Sequence, residues 1–287
     1  MADELRPVPL TRRHFVKVAG GAGFALAVHP VSAGTVIRTA ATGLVAGDIT
    51  FAVGDEEIPG YRARPEGGGP FPVILVVQEI FGVHEHIKDV CRRFAREGYL
   101  AIAPELYHRQ GDVSGLSDFD SILAVVRQVP DAQVMADLDA AVAFAETEGG
   151  DPDRLGITGF CWGGRITWLY AAHSERVRAG VAWYGRVTGE ASALQPRHPV
   201  DVAAELNAPV LGLYGGQDSG IPLTEVDKMQ AALDAAGQRS EFHIYRDAPH
   251  AFFADYRPSY READARDAWD RALAWFRAEG VDPAAMA

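Results

Sequence analysis

The stretch LGITGFCWGGRITWLYAAHS, Leu155–Ser174, decides the fold. Leu155–Phe160 is apolar or β-branched along its length and too short for a helix, as a strand covered on both faces is. The residues from Gly163 onward suit a helix. Between the two stands Cys161, flanked by Gly159 and Gly163 at the spacing G-x-C-x-G. Glycines at a sharp strand-to-helix turn let a side chain project beyond the end of a sheet, and the next backbone N–H then faces any oxyanion formed there. Cys161 can therefore be a nucleophile carried on such a turn. It can also be a small apolar residue filling a corner, since free cysteine is among the most buried residue types.

Outward from this turn, Ile49–Val53, Phe71–Gln78, Leu100–Pro104, Ala179–Gly185, Ala208–Gly215 and Glu241–Asp247 also read as strands. Helical patterns alternate with them. Ile87, Val90, Cys91, Phe94 and Ala95 recur at steps of three and four, as do Val134, Leu138, Ala141, Val142 and Ala145, and a last helix buries Trp269, Leu273 and Phe276. Strands alternating with helices of this length predict an α/β fold: a mostly parallel sheet with helices on both faces and a site at the carboxyl ends of the strands. Glu66–Pro70 reads as a hairpin or loop turn, and the less regular segment 107–130 as a candidate substrate-facing loop.

The chain has 287 residues, 48% of them hydrophobic and 23% charged, enough for a substantial core. A net charge of −12 offers no basic surface for nucleic acid or an anionic membrane. Two cysteines, Cys91 and Cys161, exclude a disulfide framework. The N-terminus reads as an address. TRRHFVK (Thr11–Lys17) precedes the apolar, glycine-rich run Val18–Val28 and a small-residue end, the pattern of a twin-arginine export signal. That run is far shorter than the roughly 20 residues that span a bilayer, so no stable membrane anchor is expected. The expectation is a signal peptide over residues 1–33, cleaved after Ala33, and one domain over residues 34–287. The export machinery is then a partner and the location periplasmic or secreted; a monomer is expected. What the signal implies is transport in the folded state, in which a buried thiol would stay protected.

Chain order adds Asp218, just beyond an apolar strand and a Gly-Gly turn, and His250, in a loop after the next strand. Each has an ordinary alternative, a turn-forming Asp and a solvated His. In order, behind the glycine-flanked cysteine, they form a Cys-His-Asp triad of the general kind. Glu79 ends the strand that begins at Phe71, so it and the Ile80 N–H face the same crevice; a helix-start carboxylate favoured by the helix dipole is the alternative. His84 and His86 stand two apart, a spacing at which helical side chains point away from each other, so no metal site is expected. Arg165 and Trp168 are expected to pack or pair on the helix after the turn.

QEIFGV (78–83), APELYHR (103–109), GFCWGG (159–164), GGQD (215–218) and PHAFF (249–253) together resemble the dienelactone hydrolase (carboxymethylenebutenolidase) family, from about Ile49 to the C-terminus. The resemblance implies the α/β-hydrolase fold, with Cys161 as nucleophile, Asp218 and His250 completing the triad, and Glu79 controlling the protonation of the thiol. It implies the backbone N–H groups of Ile80 and Trp162 as oxyanion donors, Arg109 as a substrate-carboxylate ligand, and no metal or organic cofactor. The family's second arginine is expected four residues after the histidine, where this chain has Ala254, with Arg257 close by. Phe81, Tyr107, Trp162, Tyr184 and Phe252 are candidates to line the pocket.

A free thiol, with a pKa of about 8.5, is only slightly ionised at neutral pH and needs activation. His250, oriented by Asp218, can supply it. The expectation is a hydrolase of small esters or lactones acting through a thioester. The alternatives are an exported esterase that does not take dienelactone and a non-catalytic binding protein on the same fold. A serine-type peptidase or lipase would need a serine where Cys161 stands.

Overall fold

The computed structural model describes residues 34–283, so the twin-arginine segment lies outside the described residues. The sheet is built around FPVILVV, which forms β3 (Phe71–Val77) with every residue buried. Successive side chains of a strand point to opposite faces. Ile74 and Val76 accordingly join one core, and Val73, Leu75 and Val77 another.

Eight strands pair in the order β1-β2-β4-β3-β5-β6-β7-β8. Besides β3 they are β1 (Leu44–Val53), β2 (Glu56–Pro65), β4 (Leu100–Pro104), β5 (Gly150–Phe160), β6 (Val177–Trp183), β7 (Val210–Gly215) and β8 (Glu241–Tyr245). From β4 to β8 all neighbours run parallel, while β1 and β2 form an antiparallel edge. This is the expected mostly parallel α/β-hydrolase sheet. Sequence reading missed β2, in which Pro59 and charged residues interrupt the apolar alternation of Ile58, Tyr61 and Ala63. It also left Glu66–Pro70 open as a hairpin turn. β2 and β3 are not neighbours, so that segment is a loop passing across the end of β4.

The helices are α1 (Glu85–Arg96), α2 (Phe119–Val126), α3 (Asp131–Thr147), α4 (Trp162–His173), α5 (Pro199–Val202), α6 (Leu223–Ala235) and α7 (Glu262–Ala278). Helices α1 and α7 cover one face, where Phe94 meets Trp269 and Phe276 at ring separations of 4.6 and 6.1 Å. On the other face lie α3, α4 and α6, with Leu138, Ile166 and Met229 among the buried residues. With both faces covered, chemistry is left to the strand ends. β3 crosses to β4 on one side while β5 onward extends the other, so the open crevice lies where the strand order reverses, at the carboxyl ends of β3 and β5.

Candidate active site

Cys161 stands between β5 and α4 with φ 56° and ψ −112°. An L-residue takes this left-handed geometry at a cost of roughly 1–2 kcal/mol, so the surroundings must hold it. The flanking glycines show how. A Cβ on Gly159 would lie 2.1 Å from the Gly163 carbonyl oxygen, and one on Gly163 would lie 2.5 Å from the carbonyl oxygens of both Val77 and Gln78. The turn is therefore folded tightly on itself and pressed against the end of β3. The Cys161 N–H donates to the Trp183 carbonyl at 3.0 Å, and the Tyr184 N–H to the Leu213 carbonyl at 3.0 Å, tying together the ends of β5, β6 and β7.

The turn after β7 carries Asp218. Its Oδ1 accepts from the N–H groups of Gly220 (2.9 Å) and Ile221 (3.2 Å), leaving Oδ2 directed at His250 Nδ1, 2.6 Å away. The loop after β8 carries His250, whose Nε2 lies 3.3 Å from Cys161 Sγ. The Gln217 N–H donates to the Ala248 carbonyl at 2.9 Å and so docks the two loops. Burial by itself lowers the basicity of His250, but the charge at Cys161 and the bonds to Asp218 and Cys161 outweigh it and lift its pKa to about 10. The protonated ring is thereby favoured, and an Nδ1–H held by Asp218 leaves Nε2 directed at the Cys161 sulfur, placed to exchange a proton with it.

Glu79 follows β3 and is 1% exposed. Its Oε2 accepts from Tyr256 Oη at 2.6 Å and lies 3.2 Å from His84 Nε2, while Oε1 has no partner. Burial pushes its pKa up, yet the His84 bond and the charge of Arg257 prevail and bring it down to about 2. The backbone after Glu79 turns through Gly82 (φ 73°) and is pinned where the Val83 N–H donates to Glu105 Oε2 at 2.7 Å. Among the described residues, no backbone acceptor takes the N–H groups of Ile80 or Trp162. Both are thus available to an incoming oxygen.

Tyr107 and Tyr184 lie within the field of both Cys161 and Glu79. Tyr107 Oη donates to the Glu79 carbonyl at 3.3 Å and its ring lies 5.0 Å from that of Trp162. Tyr184 stacks edge-on to His250 at 5.2 Å, and its buried hydroxyl has no partner. Phe252 lies in the core, against Tyr184 and Tyr245.

Two expectations need correction. Arg109 binds Asp137 through Nη1 (2.8 and 2.9 Å) and Glu56 through Nε, so two carboxylates already neutralise it. A substrate carboxylate there would have to displace them. Arg257, half-buried, has no such pair of carboxylates. It lies 4.8 Å over the Phe81 ring, is influenced by the charges of Glu79 and Cys161, and has no carboxylate within ion-pair distance among the described residues. His84 and His86 do not point apart. His84 precedes α1 rather than belonging to it, and the two rings stack at 6.0 Å. Arg165 pairs with Asp131 at 2.7 and 2.8 Å, and buried Trp168 donates to Tyr214 Oη. Both cysteines are free.

Sequence reading gave His84 and Tyr256 no role at Glu79. The place of His84 just ahead of a helix was a usable signal. Nothing local marks Tyr256, which reaches Glu79 across 177 residues of chain.

The model of the dienelactone hydrolase family matches residues 58–280. A "Putative carboxymethylenebutenolidase" of Methylorubrum extorquens is 63% identical over 274 residues, 95% of this chain and 94% of its own. One of Escherichia coli is 55% identical over 260 residues, covering 90% of this chain and 96% of its own. The crystal structure of a "Putative Dienelactone Hydrolase" of Klebsiella pneumoniae superposes with a TM-score of 0.80 at 56% identity, over 82% of this chain and 98% of that one.

Proposed function

We propose, from the premise that this chain belongs to the dienelactone hydrolase family and is a carboxylic ester hydrolase, that it cleaves small lactones or esters through Cys161, His250 and Asp218. The observation that carries this reading is the unbroken line from Asp218 Oδ2 through the His250 ring to Cys161 Sγ, at 2.6 and 3.3 Å.

The thiolate of Cys161 attacks the carbonyl carbon. A C–S bond forms, the carbonyl electron pair moves to oxygen, and the N–H groups of Ile80 and Trp162 receive the oxyanion. Each such donor contributes about 3 kcal/mol in the transition state. Collapse breaks the C–O bond, and the departing oxygen takes the proton from imidazolium His250. Neutral His250 then deprotonates a water that attacks the thioester, and the thiolate leaves. For a lactone the acyl group and the freed hydroxyl stay in one molecule.

The substrate class is a small ester or lactone bearing a carboxylate, as dienelactone does, held by Arg257 against the face of Phe81. The unpaired guanidinium supports this, since Arg is well suited to bidentate carboxylate recognition. A second reading, a thiol esterase of neutral small esters, is favoured by the neutralisation of Arg109 and by Ala254. Hydrolysis of dienelactone beside a p-nitrophenyl ester, with the protein and its Cys161→Ala variant, decides between them. Turnover of dienelactone that depends on Cys161 is expected. Turnover of the neutral ester alone selects the second reading, and unchanged turnover by Cys161→Ala overturns both.

The reading extends to export. The paired Arg12 and Arg13 ahead of the Val18–Val28 run support delivery by the twin-arginine pathway to the periplasm, where the enzyme acts as a monomer. An Arg12→Lys/Arg13→Lys variant is expected to stay in the cytoplasmic fraction; equal export of the variant refutes the route. Light scattering of the purified protein tests the monomer.

A further inference from the structure

An N–H that is to receive an oxyanion must be held at one angle, and the short turn that carries Ile80 has little backbone support of its own. Glu79 and Gly82 face each other in an isolated bridge, Gly82 turns with φ 73°, and among the described residues no backbone acceptor takes the Ile80 N–H. That N–H shares its peptide unit with the Glu79 carbonyl. In a trans peptide the two groups lie in one plane and point in opposite directions, so whatever fixes the carbonyl also fixes the N–H. The group on the carbonyl is the side chain of Tyr107, whose Oη donates to it at 3.3 Å.

Tyr107 is fully buried, although its motif made it a candidate to line the pocket. A side chain with no exposed surface does not meet a substrate and can act only through its neighbours. Burial pushes the pKa of its hydroxyl well up, so the group keeps its proton and remains a donor. Its ring stands edge-on to that of Trp162 at 5.0 Å, so one side chain touches the residues on both sides of the oxyanion site. The chain around it is latched as well. The Leu106 N–H donates to Gln78 Oε1 at 3.3 Å, and Glu105 Oε2 accepts from the Val83 N–H at 2.7 Å. Segment 105–107 therefore grips the turn ahead of the Glu79–Ile80 peptide, at its carbonyl, and beyond it.

We propose that Tyr107 is a positioning residue for the oxyanion site: its hydroxyl holds the Glu79 carbonyl and, through the peptide plane, aims the Ile80 N–H at the crevice. The inference rests on the proposed attack by Cys161 and deepens it; it concerns the backbone of Glu79 and not its carboxylate. At 3.3 Å the bond is long for O–H···O, for which about 2.7–2.8 Å is usual. It has room to shorten during the reaction. As negative charge develops on an oxygen that accepts from the Ile80 N–H, the peptide is polarised, its carbonyl becomes a better acceptor, and the bond from Tyr107 strengthens. An interaction that grows between ground state and transition state raises kcat and leaves KM nearly unchanged.

The test compares the whole protein with its Tyr107→Phe variant, which removes one oxygen and leaves the ring against Trp162. With p-nitrophenyl acetate, kcat is expected to fall by about tenfold or more while KM stays within about twofold, because acylation and deacylation both pass through an oxyanion. Loss of a whole oxyanion donor costs about 100- to 1000-fold, and a misaimed one less. Alkylation of Cys161 by iodoacetamide, which forms no oxyanion, is expected to stay within about twofold of the parent. The thiono analogue of the ester places its developing charge on sulfur, a weak acceptor that gains less from the N–H, so the ester-to-thionoester rate ratio is expected to narrow in Tyr107→Phe. An unchanged ratio, or a kcat within threefold of the parent, overturns the positioning role. So does a parallel loss in alkylation and KM, which would mark a general disturbance of the fold. Cys161-dependent turnover that ignores Tyr107→Phe defeats this inference alone. Turnover that survives Cys161→Ala, or none by the parent, defeats the underlying reading and this inference with it.

Discussion

Replacing Gly163 by alanine puts one methyl group where the cysteine turn meets the end of β3. The added Cβ would lie 2.5 Å from the carbonyl oxygens of Val77 and Gln78, which are backbone atoms and cannot rotate away. Carbon and oxygen in close contact sit at about 3.3 Å or more, so the start of α4 must move off β3 by roughly 0.8 Å. The two N–H groups proposed as oxyanion donors stand on opposite sides of that seam, Ile80 after β3 and Trp162 on α4. Donors of this kind must both lie about 2.7–3.1 Å from the developing charge, and a misplacement of about 1 Å typically costs roughly 100-fold in rate. His250 and Cys161 are less affected, because the Cys161 N–H is tied to Trp183, on the far side of the turn from β3. The expected outcome is a fall of about 100-fold in kcat, a loss of stability of about 1–3 kcal/mol from overpacking, and alkylation of Cys161 within about threefold of the parent. Steady-state hydrolysis, thermal unfolding and iodoacetamide labelling together make the assay. A kcat within threefold of the parent in a folded Gly163→Ala protein refutes the assignment of the two donors to this seam.

In Asp218→Asn, the retained carbonyl can still accept from Gly220 and Ile221 while the new NH2 faces His250 Nδ1. The imidazole then takes the tautomer with its proton on Nε2, and kcat is expected to fall by about 100-fold or more, with the circular dichroism spectrum unchanged. Replacing Arg257 by Gln is expected to raise KM for carboxylated esters about tenfold or more and to leave neutral esters nearly unaffected; equal effects on both would remove the carboxylate role. Glu79 has its pKa lowered from 4.5 to about 2, so it contributes stability that is present above pH 4.5 and is lost as pH falls through 2. That contribution is on the order of 3 kcal/mol. The stability gap between the parent and Glu79→Gln should therefore narrow over this range in denaturant titrations, and a constant gap would show that Glu79 does not carry the acid sensitivity.

The convergence of Cys161, Asp218 and His250 was legible because each follows an apolar run that ends in turn residues, and a parallel sheet brings the carboxyl ends of such runs to one edge. The order of the three along the chain then did what no single residue could. β2 was illegible for the complementary reason: an edge strand exposes one face, and its Pro59 and charges look like a loop to a test that rewards continuous apolar runs. The carboxylate partners of Arg109 were not legible, because a guanidinium's partners are fixed by tertiary packing. Glu56 and Asp137 lie 53 and 28 residues away and carry no local mark of the contact. His84 and His86 were judged by helical geometry, yet the helix begins after His84, where side-chain directions follow no helical rule. Tyr256 and Arg257 depend on the path of a loop that has no periodicity to read.

Backbone strain shows how the site divides its labour. Among the described residues, three other than glycine have left-handed φ, namely Cys161, Tyr184 and Ala251, and each lies at a strand end or loop of the crevice. At roughly 1–2 kcal/mol each they cost about 3–6 kcal/mol, against net stabilities of about 5–15 kcal/mol for domains generally. Such geometry persists only where packing over-determines it. The aromatic layer beneath supplies that packing, with Phe160 5.3 Å from Trp183 and 5.4 Å from Phe253, and Trp183 4.4 Å from Phe253. Cys161 and His250 are therefore mounted on a rigid frame. Glu79 is different: its carboxylate is held by two side-chain hydrogen bonds on one oxygen, with the other oxygen unmet. Unlike Asp218, it accepts from no backbone N–H among the described residues. Substitutions in the frame should change stability and rate together, whereas substitutions around Glu79 should first change how stability falls at acid pH.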